Sequence, residues 1–201
     1  MKLFLSPHND DETLWGAFTI MRERPTVCVV FDSYVQPSRG LRACYPGRRR
    51  QETIDALVEL TREEYQGVRV EGTEVEADFL GFRDDDKFSM DGLASLTAAL
   101  HGHYGNVEQV WAPAIEQDGH EQHNMVGAAA DAAFPGLVTH YLTYTRKVDG
   151  KSRYGTEVLP RSGDDIARKL RALACYRSQL QMDPRLGCWP HFVNDLREYV
   201  I

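Results

Sequence analysis

The sequence predicts an α/β protein: a Rossmann-like three-layer sandwich with a mostly parallel sheet covered by helices on both faces. Three observations carry that expectation. Apolar runs of strand length alternate with longer amphipathic segments, the chain opens on a strand-helix-strand unit, and no repeat, low-complexity tract or Ser/Gly/Pro-rich linker interrupts the alternation. Strands separated by helices pair in parallel, because right-handed crossovers lay the helices on the sheet faces. The 201 residues suffice to bury a full core and read as a single domain spanning 1–201.

Taken in order, residues 2–5 form the first strand, residues 12–22 a helix, and the β-branched run Thr26–Phe31 the second strand. Over residues 47–66, Ile54, Leu57, Val58 and Leu60 recur at helical spacing with Arg and Glu between them, and Gly67 falls where a C-cap belongs. Val68-Arg69-Val70 reads as a short third strand, 92–101 as a helix and 107–112 as a fourth strand. A small-residue helix over 123–133, a fifth strand over 137–145 and a last helix over 163–181 complete the pattern. The segments 34–46 and 149–160 exceed the roughly two to six residues usual in α/β connections and are candidate substrate walls.

A formal net charge of −7 and a pI near 5.5 leave no basic field to collect nucleic acid, the one dense basic run being Arg48-Arg49-Arg50. The apolar stretches fall short of the roughly 18 to 20 residues that span a bilayer. Ser6-Pro7 ends the first of them too early for a signal peptide. A cytoplasmic protein without a membrane span is expected. Cys28, Cys44, Cys175 and Cys188 stand apart, with no Cys-x-x-Cys pair, so neither a zinc knuckle nor a disulfide framework is indicated. Isolated cysteines of this kind behave as small hydrophobes.

In an open α/β sheet the ligand crevice lies beyond the carboxyl ends of the strands. The segment after the first strand, Ser6-Pro7-His8-Asn9-Asp10-Asp11-Glu12, has none of the glycines with which a G-x-G-x-x-G loop approaches a pyrophosphate. That argues against a nucleotide binder. One imidazole among several carboxylates suits a cation instead, and His8 and Asp11, three residues apart, can converge on one ion. Any one of Asn9, Asp10, Asp11 and Glu12 also suits a helix cap or first turn, but four of them with a histidine exceed what capping needs.

A second cluster, Gly119-His120-Glu121-Gln122-His123-Asn124, follows the fourth predicted strand. His120 and His123 are three apart, so at a helix start they can point to one side, at the same carboxyl edge. His101, His103, His140 and His191 read as ordinary solvated imidazoles, and Asp84-Asp85-Asp86, with no His or Cys beside it, as a solvated loop.

These residues resemble those of a known family. Pro7-His8-Asn9-Asp10-Asp11-Glu12 is similar to the P-H-P-D-D-E signature of the LmbE-like, PIG-L type zinc-dependent N-deacetylases, and Gly119-His120-Glu121-Gln122-His123 to their G-H-P-D-H. Arg49-Arg50-Gln51-Glu52 with Ala56 and Leu60 resembles the family's R-x-x-E-x-x-x-A-x-x-x-L helix. Phe79-Leu80-Gly81-Phe82 with Asp84 resembles its F-L-G-x-x-D, and Lys169 with Ser178-Gln179 its late K…S-Q helix. The resemblance implies the LmbE-like fold, zinc (or iron(II) in the same ligand set) held by His8, Asp11 and His123, and Asp10 as general base toward the attacking water. It further implies that His120 stabilises or protonates the tetrahedral intermediate and that Arg49 contacts substrate.

The implied reaction removes an N-acetyl group from an N-acetylglucosamine-type sugar or conjugate. Alternatives are another acyl amide, such as a thiol conjugate or antibiotic intermediate, and a metal-binding homologue without turnover. The compact length leaves room for a pocket completed in a homo-oligomer, and Trp15, Tyr34, Tyr45 and Trp189 are candidates to stack on a sugar. Two departures stand out. Asn9 replaces the usual Pro, losing a rigid φ but no ligand, so little effect is expected. Gln122 replaces an Asp expected to orient the neighbouring His120, and a neutral amide supports an imidazolium less well.

Overall fold

A computed structural model describes residues 1–32, 46–65, 68–70, 75–83, 88–116, 119–143, 147–148, 151–152, 155–180 and 196–201. The alternation resolves into β1 (Lys2–Ser6), α1 (Asp11–Glu23), β2 (Thr26–Phe31), α2 (Pro46–Thr61), β3 (Glu63–Tyr65), β4 (Val68–Val70), β5 (Ala77–Phe82) and α3 (Met90–His103). Then come β6 (Gln109–Pro113), α4 (Glu121–Ala133), β7 (Val138–Tyr141), β8 (Lys147–Val148), β9 (Lys151–Ser152), β10 (Thr156–Glu157), α5 (Gly163–Cys175), α6 (Arg177–Leu180) and β11 (Tyr199–Val200).

The central sheet has the order β10-β11-β7-β6-β1-β2-β5 among the described residues. The five strands β7, β6, β1, β2 and β5 run parallel, and β11 and β10 close one edge antiparallel. From β1 the chain steps outward to β2 and β5, then returns to the other side of β1 for β6 and β7. The strand order therefore reverses between β1 and β6, and a crevice opens at their carboxyl ends. The two loops that leave those strands carry the two histidine clusters.

Successive side chains on a strand face opposite sides of the sheet, and each side receives its own helices. Leu3, Leu5, Cys28, Val30, Val110 and Ala112 pack with Leu96 and Leu100 of α3 and Met125, Val126 and Ala129 of α4. On the opposite face Phe4, Val27, Trp111 and Tyr141 meet Trp15 and Ile20 of α1, Ala56, Leu57 and Leu60 of α2, and Ala172 and Leu173 of α5. Burial pushes the Cys28 thiol up to about 12, as suits a core hydrophobe, and Cys175 up to about 11. Cys44 and Cys188 lie outside the described residues.

Helix α4 lies close against β6 because Gly127 has no side chain: a Cβ there would fall 2.4 Å from the Pro113 carbonyl oxygen. Gly16 does the same for α1, where a Cβ would fall 2.1 Å from Phe4 Cζ, in a ring already stacked on Tyr141 at 4.8 Å. These two approaches set the depth of the helices whose N-termini reach the crevice.

The structure corrects three sequence expectations. The helix expected over 47–66 ends at Thr61, whose hydroxyl donates back to the Leu57 carbonyl (2.7 Å) while Arg24 Nη1 donates to the Thr61 carbonyl (2.6 Å). Glu63–Tyr65 then pairs antiparallel with Val68–Val70 in a separate ribbon. Val68-Arg69-Val70 is thus no member of the central sheet; the third parallel strand is β5, which carries Phe79-Leu80-Gly81-Phe82. The helix expected over 163–181 breaks at Tyr176, whose buried side chain turns inward to Glu12. Gly67, Asp84-Asp85-Asp86, His191 and the segment 34–45 lie outside the described residues, as do residues 149–150 and 153–154. No helix among the described residues is long and apolar enough to cross a membrane.

Gly127→Ala is expected to lower the unfolding free energy by about 1–3 kcal/mol, since backbone must move to admit the methyl. Urea denaturation of the variant checks this.

Candidate metal centre

The loop that leaves β1 is shaped from within. Ser6 Oγ lies 2.7 Å from the His8 carbonyl and accepts the Glu12 N–H at 3.0 Å. The fully buried Glu12 carboxylate accepts from the Asp10 N–H (3.1 Å), Thr13 Oγ1 (2.8 Å) and the Tyr176 hydroxyl. Burial raises the Glu12 pKa, with the bonds from Tyr176 and Thr13 opposing. Between these anchors Asp10 is bent to φ 137°, ψ −25°, a region that belongs to glycine. Its carbonyl accepts from the Thr13 and Leu14 N–H groups, which starts α1.

That bend turns Asp11 into the crevice. Its Oδ2 accepts the His8 N–H at 3.0 Å, lies 3.0 Å from His8 Nδ1 and lies 3.1 Å from His123 Nε2. Its Oδ1 accepts the Trp15 indole N–H at 3.0 Å. Trp15 is therefore committed to the core, 1% exposed, which overturns its candidacy as a sugar-stacking platform. Tyr34, Tyr45 and Trp189 lie outside the described residues. Burial works to raise the Asp11 pKa, but His123 and His8 override it and hold the carboxyl well below the usual carboxylate range.

Helix α4 brings the other cluster to the same place. The rings of His8, His120 and His123 stand 5.2–5.3 Å apart, centroid to centroid, in a triangle. His123 is buried and His120 is exposed at the rim. His120 caps α4, its Nδ1 accepting the Gln122 N–H at 3.3 Å, so a neutral His120 ring carries its proton on Nε2.

Two imidazole nitrogens and a carboxylate oxygen, all within 4.8 Å of one another, make His8, Asp11 and His123 a group able to hold a metal ion. The 3.0 and 3.1 Å separations about Asp11 Oδ2 approach the roughly 3.3 Å that separates ligand atoms around a tetrahedral ion with bonds of about 2.0 Å. The donor set also suits zinc and neighbouring divalent metals.

The remaining expected residues lie close by. Burial pushes the Asp10 carboxyl up to about 8, with Arg49 opposing and Asp11 and Glu12 adding to the rise. Arg49 Nη2 stands 3.7 Å from Asp10 Oδ2 and donates to the Asn9 carbonyl at 2.8 Å. Arg49 is thus an anchor for the loop as well as a candidate substrate contact. Asn9 is buried and accepts from Thr53 Oγ1 at 3.0 Å, a tie to α2 that a proline could not make.

Gln122 departs from expectation. Its side chain does not turn back to His120 but reaches His8, with Oε1 2.6 Å from His8 Nε2, because the first turn of α4 projects position 122 across the crevice.

Sequence reasoning also missed the supports. Ser178 donates to Glu52 from its N–H (2.9 Å) and its hydroxyl (2.5 Å), so these two motif residues clamp α6 to α2. Lys169 is buried against Glu198 at 2.6 Å and also donates to the Leu14 carbonyl at 2.9 Å. Nothing in the sequence around Glu198 signals that pairing.

No family model matches the chain, and no curated protein sequence does. Solved structures do. N,N'-diacetylchitobiose deacetylase from Pyrococcus horikoshii superposes with a TM-score of 0.64 at 19% identity, covering 100% of this chain and 82% of that one. The fold is shared. A conserved protein from Thermus thermophilus gives 0.63 at 19% identity, covering 100% of this chain and 93% of that one. The 4-carboxy-2-hydroxymuconate hydratase from Pseudomonas putida gives 0.58 at 17% identity, with coverages of 96% and 84%.

Asp10→Gly is expected to raise the unfolding free energy by about 1–2 kcal/mol, since relief of the strained backbone exceeds the entropy that glycine adds to the unfolded chain. Chemical denaturation checks this; a less stable variant would show that the bend is unstrained.

Proposed function

We propose that this chain is a metal-dependent N-deacetylase of the LmbE-like, PIG-L type. It would act on an N-acetylglucosamine-type sugar or conjugate, as a single catalytic domain over residues 1–201. The observation that carries the reading is the convergence of His8, Asp11 and His123 at the strand-order reversal, with Asp10 and His120 immediately beside them. A fold shared with a diacetylchitobiose deacetylase supports the same reading.

Zinc, or iron(II), held by those three side chains would polarise an amide carbonyl and acidify water toward a pKa of roughly 7. The protein's own groups supply the rest. Asp10, one residue before a ligand, takes the proton of the attacking water. Burial raises its pKa while Arg49 opposes the rise, and a carboxylate so balanced can take a proton and hand it on to the departing nitrogen. His120, with its Nε2–H at the exposed rim, offsets charge on the carbonyl oxygen and assists the amine's departure. Arg49 holds the Asn9 carbonyl and Asp10 in place and is a cation beside them for a substrate hydroxyl or anionic substituent. Water and amide become acetate and a free amine.

A pair of residues fit for proton transfer beside the ligands separates this reading from mere metal storage. Another acyl amide remains the alternative substrate. The fold is also that of a hydratase, so the reaction type must be read from products.

The test is acetate release from N-acetylglucosamine derivatives, including N,N'-diacetylchitobiose. Activity should disappear with chelator, return with Zn²⁺, and fall about 10²–10⁴-fold in Asp10→Asn. Amine formation without acetate would move the substrate to another acyl amide. Hydration of an unsaturated acid with no amide cleavage would overturn the proposal.

A further inference from the structure

We infer that Asn124 is a positioning residue: its amide ties down the loop between β6 and α4 and so fixes where His120 stands beside the metal centre. The inference deepens the proposed function and rests on its reading of His120 as the group that offsets charge on the carbonyl oxygen and assists the amine's departure. Asparagine is a poor helix former because its side chain competes for backbone partners, yet it is the fourth residue of α4. Here that competition has a use. Asn124 Oδ1 accepts the Glu116 N–H at 2.9 Å and Asn124 Nδ2 donates to the Glu116 carbonyl at 2.7 Å, so one side-chain amide pairs with both backbone groups of a single residue eight positions back.

The same residues close the loop from its other end. The Gly119 N–H donates to the Glu116 carbonyl at 3.0 Å, and the Asn124 N–H donates to the His120 carbonyl at 3.0 Å. His120 thus lies between two attachments that both lead to Asn124, on the helical turn that also carries His123 of the metal-holding group. A Cβ at Gly119 would fall 2.9 Å from Glu116 Cβ, 3.1 Å from the Glu116 carbonyl oxygen and 3.2 Å from Asn124 Oδ1, so the loop closes this tightly only with glycine there. The closure leaves the His120 and His123 rings 5.2 Å apart, centroid to centroid. A donor aimed at developing charge is effective when it is held in place before the reaction begins. Misplacing such a group by about 1 Å costs on the order of 10²-fold in rate.

The experiment measures kcat, KM and Zn²⁺ affinity for wild type, Asn124→Ala, Gly119→Ala, His120→Ala and the Asn124→Ala/His120→Ala double variant, with amide hydrogen exchange read at Glu116 in the metal-free proteins. Asn124→Ala should lose roughly 10- to 100-fold in kcat with KM and zinc affinity unchanged, and its Glu116 N–H should exchange roughly 10-fold faster. Gly119→Ala disturbs the same clamp from the other side and should lose kcat in the same way, which decides the matter where Asn124→Ala does not fold. In the His120→Ala background, Asn124→Ala should cost no further activity, since both residues act through one group. An additive loss in that background, or a loss of zinc affinity in step with kcat, marks a merely structural Asn124 and would overturn the inference. Unchanged kcat in both Asn124→Ala and Gly119→Ala, or unchanged Glu116 exchange in Asn124→Ala, would overturn it too. A wild type that takes up zinc but cleaves no amide would overturn the deacetylase reading instead, with the exchange measurement still testing the clamp.

Discussion

One oxygen atom organises this molecule's crevice. Asp11 Oδ2 gathers the His8 N–H, His8 Nδ1 and His123 Nε2 from a loop and a helix more than a hundred residues apart in sequence, while Oδ1 is held by the Trp15 indole. A buried carboxylate surrounded this way stays ionised against its own desolvation, because two imidazoles and an indole replace the water it lost. Its cost is offset only while both histidines stay in register with it. Everything that fixes β1 relative to β6, and α1 relative to α4, therefore serves this carboxylate.

The support is a second layer of buried polar groups. Glu12 joins the loop to Ser6, Thr13 and Tyr176; Asn9 joins it to Thr53; Glu52 joins α2 to Ser178. Lys169 and Glu198 tie α5 to α1 and to the C-terminal segment, Glu198 accepting the Phe18 N–H at 3.0 Å. Buried charges lose more from a missing partner than they gain from a present one. These pairings thus make the crevice dependent on the whole chain, from residue 6 to residue 198. Asp10 is bent because its neighbours on both sides are fixed, which places a strained backbone one residue from Asp11.

Much of this could be read from the sequence because the signals were local. The strand-loop-helix boundary at Ser6 to Glu12 and the His120/His123 spacing point to both halves of the group able to hold a metal, and topology brings them to one edge. Alternation of apolar and amphipathic segments gave the layered α/β fold. What escaped depends on partners distant in sequence. Residues 62–66 carry charges compatible with a helix, yet pairing with Val68–Val70 makes 63–65 a strand. The third parallel strand, Ala77–Phe82, was visible only as a motif, since its half-buried edge position blurs its alternation. By sequence Gln122 pairs with its neighbour His120, whereas the helix projects it onto His8, 114 residues away. Tyr176 looked like a helical residue, and its burial against Glu12 breaks the helix instead.

The central claim is that Asp11 and the two histidines form a single metal site. Calorimetric titration of Zn²⁺ into metal-free protein tests it most directly. One equivalent should bind. That binding should vanish in folded Asp11→Ala and His123→Ala variants. No saturable binding, or binding that survives loss of Asp11, would contradict the account.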